Sequence, residues 1–221
     1  SSAVNELTLK NEAAGSNPGF TATGGDTNVG IDLIPKGTGV LRQGAVAVGL
    51  VGLQTIWIPA AAMRPTVSNP CADLTDVETT SGRPDMQVLD FDTGADEHAQ
   101  FQILFPKSWN EGTITFRVAW TTTATDTGTC AWGLQGVAVG DGDTIDVAYG
   151  TAVVVSDAGQ STAEDLYLTA ESGDVTIAGS PAVDQVCYFR IFRDISADAM
   201  EEDARLLGVR ILFSTDAGND A

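Results

Sequence analysis

From residue 54 onward the chain is a succession of short apolar or alternating runs, set between clusters of Gly, Asp, Thr, Ser and Pro. Ten of them read as strands: QTIWIP (54–59), MQVLDF (86–91), AQFQILF (99–105), TITFRVAWTT (113–122), AWGLQGVAVG (131–140), TIDVAY (144–149), DLYLTA (165–170), DVTIAG (174–179), QVCYFRIFRD (185–194) and RLLGVRILFS (205–214). In the fourth run Ile114, Phe116, Val118 and Trp120 alternate with Thr115, Arg117 and Ala119, which predicts one buried and one wet face. In QVCYFRIFRD, Tyr188, Arg190 and Phe192 alternate with Phe189, Ile191 and Arg193. Aromatic residues fall on both of its faces, so a second surface is expected to pack against something. Short strands separated by turn signals predict an all-β, antiparallel sandwich of the jelly-roll type. An immunoglobulin-like sandwich would need fewer strands and a Cys-Trp-Cys spacing that the chain lacks.

Helical signal is scarce. Ser196–Leu207 is the best candidate, with Ser196 as a cap and Met200, Ala204 and Leu207 on one side. A short turn is expected near Ile58–Met63, and a distorted turn within an irregular connection over 151–163. The alternation of strand and helix typical of Rossmann or TIM folds is missing.

The first 45 residues have a different texture. In NVGIDLIPKGTG (28–39) and just beyond, Val29, Ile31, Leu33, Val40 and Leu41 are spaced roughly as a strand would space them, while Gly30, Pro35, Gly37 and Gly39 interrupt the run. Such a segment cannot bury its own apolar face and needs neighbours. Identical copies around a symmetry axis are the cheapest neighbours. The expected organisation is an intertwined β stem over residues 1–45, formed by a homotrimer, followed by a sandwich head over residues 46–221.

Two segments carry a family resemblance. The hydrophobic-x-PKGTG-hydrophobic run resembles the shaft-to-head passages of bacteriophage fibre and appendage proteins. AQFQILFPKSWNEGTITFRVAWTT (99–122) is similar to a strand–PKSWN–strand hairpin in the jelly-roll heads of phage structural proteins. That hairpin also has a physical reading: Pro106 ends one strand, Asn110 and Gly112 supply the turn, and Trp109 covers the end of the core. The resemblance implies a virion appendage, assembled in the host cytoplasm, with other virion proteins as partners and attachment to a host surface as its task.

Composition narrows the partners. Lys and Arg total 11 against 30 Asp and Glu, a net charge of −19. Nucleic acid and anionic membrane are therefore not expected as partners, because both demand cationic neutralisation. The longest apolar-leaning run, Ala45–Leu53, is well short of the roughly 20 residues that cross a bilayer, and the opening SSAVNELTLKNEAAG does not read as a targeting signal. Cys71, Cys130 and Cys187 have no metal-type spacing and read as small buried hydrophobes.

DFDTGADEH (90–98) is the densest polar cluster. Asp90, Asp92, Asp96 and Glu97 offer the hard oxygen ligands that Ca²⁺ takes, around a turn at Gly94. Bidentate Glu and flanking helices of a true calcium loop are missing, and a solvated hairpin turn is the favoured account. GDGDTID (140–146) is a weaker acidic turn of the same kind. No cofactor is otherwise expected. His98 is the only histidine and is expected at the surface or rim. No GxSxG element accompanies it, which leaves no catalytic triad.

Glycoside hydrolysis needs two carboxylates, one with a raised pKa, and only Asp90 and Asp194 have surroundings of that kind. Sugar binding without catalysis is the more natural activity. Trp109, Tyr149 and Tyr167 are the candidate stacking platforms, while Trp57, Trp120 and Trp132 are expected in the core or at a subunit interface. Arg190, Arg193, Arg205 and Arg210 are expected to pair with the acids of DAMEEDA (198–204). The expected function is thus a non-enzymatic, trimeric tail fibre or spike that attaches to a host glycan. The alternatives are a capsid decoration or head-fibre protein, and a carbohydrate-binding module or glycan-degrading enzyme.

Overall fold

A computed structural model describes residues 5–10, 14, 17, 19–37, 42–43, 46–47 and 52–216. The chain divides into two compact units, Ser1–Gly49 and Leu50–Ala221. In the first, β1 (Asn5–Lys10) and β2 (Gly19–Gly24) form an antiparallel hairpin. The two-residue strands β3 (Arg42–Gln43) and β4 (Val46–Ala47) form another ladder. Residues 28–35 are not a strand, contrary to the period-two pattern. Gly30 and Pro35 weaken the run, and among the described residues no strand of this unit pairs with it. Val29 is half-buried, Ile31 and Leu33 are exposed, and the expected stem positions Val40 and Leu41 lie outside the described residues.

The second unit is an antiparallel jelly-roll β-sandwich. Its strands are β5 (Gly52–Pro59), β6 (Arg64–Pro65), β7 (Thr75–Val77), β8 (Met86–Phe91), β9 (His98–Leu104), β10 (Trp109–Thr121), β11 (Thr129–Val139), β12 (Val153–Ala158), β13 (Tyr167–Leu168), β14 (Val186–Arg193) and β15 (Ala204–Thr215). One sheet has the order β13-β10-β15-β8-β7, with β5 also paired to β15; the other has the order β12-β11-β14-β9-β6. From β8 to β11, and again from β14 to β15, successive strands change sheet, so each apolar face meets the other across one core. Ile114, Phe116, Val118 and Trp120 all point inward and are essentially inaccessible, as their alternation requires. Phe91 meets Trp132 edge-on at 5.1 Å, and Phe101 stacks on Phe189 at 5.2 Å. All three cysteines are free and buried in this region. Burial pushes the Cys71 thiol up to about 12 and the Cys187 thiol to about 11, as befits inert apolar side chains.

Four local expectations are corrected. TIDVAY (144–149) is not a strand, DVTIAG (174–179) contributes only isolated bridges at Val175 and Ala178, and the connection over 151–163 contains β12. Ser196–Leu207 is not a helix. A single 3₁₀ turn spans Ile195–Ala197, and the chain is extended again by Ala204.

The reason is a buried ion pair. Arg193, fully inaccessible at the end of β14, donates to both carboxylate oxygens of Asp198 at 2.9 and 2.8 Å. Its remaining N–H groups reach the carbonyls of Phe91 (3.1 Å), Glu202 (2.8 Å) and Met200 (2.8 Å). Backbone carbonyls that a helix would turn along its axis here point at one guanidinium. Asp198 also accepts from the amides of Ala131 (3.0 Å) and Met200 (2.8 Å). Burial alone would raise the Asp198 carboxyl, but Arg193 and these two amides hold it below the usual aspartate range.

Replacing Arg193 by Ala should cost about 3–5 kcal/mol, the range for orphaning one member of a buried pair. Arg193→Lys should recover only part of that, since an ammonium cannot fork to five acceptors. Urea unfolding of the three proteins measures both; a loss below about 1 kcal/mol for Arg193→Ala would contradict the assignment.

Candidate functional site

Alternation along β9 sends Phe101 and Ile103 into the core and leaves Gln100 and Gln102 on the outside. Antiparallel register then aligns one row of outward side chains across four strands: Arg64 on β6 faces Gln100 on β9, Gln100 faces Arg190 on β14, and Arg190 faces Gln135 on β11. The next row brings Gln102 beside Tyr188. Arg64 approaches Gln100 Oε1 at 3.5 Å. With its amide oxygen turned to the guanidinium, Gln135 accepts from Arg190 Nη2 at 2.5 Å and Nε at 2.7 Å.

Tyr149 reaches this row from the connection between β11 and β12. Gly150 N–H donates to the Gly136 carbonyl at 3.0 Å and pins that connection on the sheet. Only glycine fits there, since a Cβ at 150 would stand 2.7 Å from the Thr176 carbonyl oxygen. The Tyr149 hydroxyl then accepts from Gln100 Nε2 at 2.8 Å, and the Arg190 guanidinium lies 5.2 Å from the ring centroid. Burial raises the phenol pKa, opposed by Arg190, the Gln100 hydrogen bond and Arg64. A depression of about 260 Å³ opens beside these groups, lined by Arg64, Gln100, Gln102 and Tyr188 with Met63 and Ala61. It is a fixed polar and aromatic surface whose lining contains no carboxylate.

Of the three predicted stacking residues, only Tyr149 reaches the outer row, through Gln100 and Arg190 rather than as part of the depression's lining. Trp109 is buried, its ring stacked on Phe105 at 4.2 Å, so it closes the core and offers no free face. Its turn is the expected one: Trp109 N–H donates to the Pro106 carbonyl at 3.0 Å, and the Gly112 amide donates to Asn110 Oδ1 at 3.1 Å. Tyr167 is buried against Trp120, its hydroxyl donating to the Thr162 carbonyl at 2.9 Å.

The four predicted calcium ligands are engaged separately. Asp90 pairs with Arg205 at 3.4 Å, Asp92 Oδ1 accepts from the Gly94 amide (2.7 Å), Glu97 Oε2 from the Asp92 amide (2.9 Å), and Asp96 Oδ1 from the Ile195 amide (3.0 Å). Among the described residues no three acid, His or Cys groups converge as metal ligands.

Arg193 pairs with Asp198 as expected, but Arg205 finds Asp90 and, at 4.0 Å, Glu164. Trp120 and Trp132 are core residues, whereas Trp57 is half-exposed on the outer face of the six-stranded sheet. Its ring covers Gly208, in a groove of about 380 Å³ with Thr55, Ala119, Leu166, Leu168 and Arg210.

No family model matches the chain, and no curated protein matches it. Solved structures with partial likeness include a Paenibacillus cycloisomaltooligosaccharide glucanotransferase (12% identity, TM-score 0.37), where 66% of this chain covers 17% of that one. They also include the C-terminal family 22 carbohydrate-binding module of a Clostridium thermocellum protein (16% identity, TM-score 0.38, 74% of this chain and 94% of that one). A family 11 carbohydrate-binding module from Clostridium thermocellum, solved with a mixed-linked tetrasaccharide, shows 7% identity and a TM-score of 0.33 over 77% and 92% of the two chains. At this level of likeness the ligands of those proteins do not transfer to this one.

Sequence reasoning missed Arg64, Gln100, Gln102 and Gln135 as site residues. The available signal was the period-two polar set of AQFQILF, facing the mixed outer face of QVCYFRIFRD; the pairing that joins them is tertiary.

His98 is buried, not at the rim. Its Nδ1 lies 3.3 Å from the Asn69 carbonyl and its ring 5.5 Å from that of Phe192. Burial, then the charge of Arg190, lowers its pKa. The unfolded chain therefore binds more protons just below the usual histidine value of about 6.5, and His98 destabilises the fold as pH drops through that value toward its lower folded one. Thermal melts of wild type and His98→Gln between pH 7.5 and 5 should converge as pH falls. Asp90 and Glu97, whose carboxyls burial raises, titrate in both proteins and cancel in the difference. A pH-independent difference would contradict this placement.

Proposed function

We propose that the chain is a non-catalytic attachment module that binds a saccharide on the outer face of its five-stranded sheet. The observation that carries this reading is the row Arg64–Gln100–Arg190–Gln135 with Tyr149 held over it. Sugar recognition needs planar donors and acceptors fixed before the ligand arrives, together with an aromatic surface for C–H faces. Gln102 and Tyr188 extend the surface, and its ligand-facing groups other than Tyr149 sit on strands. Hydrolysis would require two carboxylates across the bound sugar, and none lines this depression. Attachment to a host surface as part of a virion appendage accords with the phage-like PKGTG and PKSWN segments.

Retention on a panel of immobilised neutral and acidic oligosaccharides tests the reading. Wild type should bind at least one glycan without releasing reducing ends. Tyr149→Ala should weaken that binding at least tenfold, and Trp57→Ala, on the opposite sheet, should change it less than twofold. Equal binding by Tyr149→Ala, or loss only with Trp57→Ala, would move or abolish the site.

A second reading, self-assembly into a trimer, is favoured by the first unit. Register puts Leu7 opposite Ala22 and Leu9 opposite Phe20, so one face of the hairpin is apolar, yet Leu7, Leu9 and Phe20 are all exposed. Ile34 follows at 85% exposure. Each such side chain would gain roughly 1.5–3 kcal/mol if fully buried, and an isolated hairpin is otherwise marginal. Sedimentation equilibrium should give a trimer for wild type and smaller species for the double variant Leu9→Ser, Phe20→Ser. A wild-type monomer at micromolar concentration would overturn this second reading.

A further inference from the structure

We infer that the sugar taken by the five-stranded sheet is an anionic one, its carboxylate or sulfate oxygens received by Arg64 and Arg190 on either side of Gln100. The inference rests on the saccharide reading and specifies the chemical class of its ligand.

Cations are scarce in this chain, 11 against 30 acids. Two of them nonetheless share one row of one face, two strands apart, which is about 10 Å between backbones at ordinary strand spacing. Among the described residues, the ion pairs of the fold use Arg193 and Arg205, and no carboxylate lies within salt-bridge range of Arg64 or Arg190. The groups that do contact these two are neutral: Gln100 for Arg64, and Gln135 and the Tyr149 ring for Arg190. Neutral partners orient a guanidinium without discharging it. Gln135 takes Nε and Nη2 of Arg190, so the edge bearing Nη1 stays clear of that amide. Tyr149, bonded to Gln100, fixes the plane of the same group.

A guanidinium locked in this way pays little further entropy when it binds, and planar oxyanions match its fork. Gln102, exposed in the next row, is left to serve the sugar hydroxyls. The overall charge of −19 sets a limit: the pull of the two arginines is screened beyond a Debye length of about 8 Å in physiological salt, and the further charges of a long polyanion would meet an acidic surface. The fitting ligand is therefore a short saccharide carrying one or a few charges.

Two matched pairs of probes test this: trigalacturonic acid against its methyl ester, and 3′-sulfolactose against lactose, titrated calorimetrically into the full chain at 150 mM salt. The charged member of at least one pair should bind ten or more times tighter than its neutral partner, and which pair responds separates carboxylate from sulfate. The exposed Arg64→Gln should cut that preference, read as the ratio of charged to neutral affinity within the pair, at least fivefold. Arg190→Gln, checked by thermal melt, should do the same. Neutral members binding as well as charged ones, or a neutral glycan of the wider panel being the sole ligand, would overturn the anionic class and leave the saccharide reading standing. Failure of every glycan on that panel would sink both.

Discussion

The sandwich is organised around one buried guanidinium. Arg193 ends β14 in one sheet and bonds the carbonyl of Phe91, which ends β8 in the other. Through Asp198 it also holds the amide of Ala131 on β11, and through Met200 and Glu202 it shapes the approach to β15. Two sheets and one crossover thus share a single polar centre inside an apolar core. Pairs of this kind are not in general more stabilising than apolar residues of equal volume. What this one supplies is geometry, because every N–H of the guanidinium has a named acceptor and only one path of the 198–203 segment provides them. Two other backbone features support that path. Gly128 and Gly159 lie so close to the Ala199 and Asp126 carbonyl oxygens that a Cβ would stand 2.4 and 2.2 Å away.

That centre bears on the candidate site through the strand they share. Arg193 faces inward at the end of β14, and Arg190, three residues earlier, must face outward by strand periodicity. The register fixed by β9 and β11 then decides what Arg190 meets: Gln100 on one side and Gln135 on the other. A slip of one residue would exchange Arg190 with Phe189 or Ile191, placing a charge in the core and apolar groups at the surface. The core and the outer row are therefore two faces of one register. The same strand carries a paired, discharged arginine inside and an oriented, uncompensated one outside.

The all-β class, most strand positions in the sandwich, the Trp109 turn and the inertness of the cysteines were legible in the sequence, because period-two alternation and Pro–Gly punctuation are local signals. The helix at Ser196–Leu207 was misread because its pattern is equally local. Capping by Ser196 and an apolar spacing could not compete with a guanidinium brought from β14, which no window of that length contains. DVTIAG and TIDVAY have strand composition yet lie mostly outside the ladders, so propensity yields to the available edges. The site was legible in halves. Mixed faces of QVCYFRIFRD and AQFQILF were visible separately, but Arg64 joins them only through a two-residue strand, and Tyr149 only through the glycine that lets its connection touch β11. Trp109 and Tyr167 misled because an aromatic beside a turn reads as exposed when it closes the end of a core.

Charge distribution is the last step. The chain has nearly three acids for every base, and among the described residues Arg193 and Arg205 are the cations met by acids. On the outer row the side chains around Arg64 and Arg190 are amides and phenols, able to orient a cation but unable to neutralise it. Substituting Glu for Gln100 or Gln135 would give each arginine a stronger partner and would improve local electrostatics in the free protein. It would also fill the positions from which, on the proposed reading, an incoming oxyanion is received. The amides thus leave the row electrostatically unsatisfied, on rigid strands and beside an aromatic ring. On the proposed reading, that is what separates this face from an ordinary solvated one.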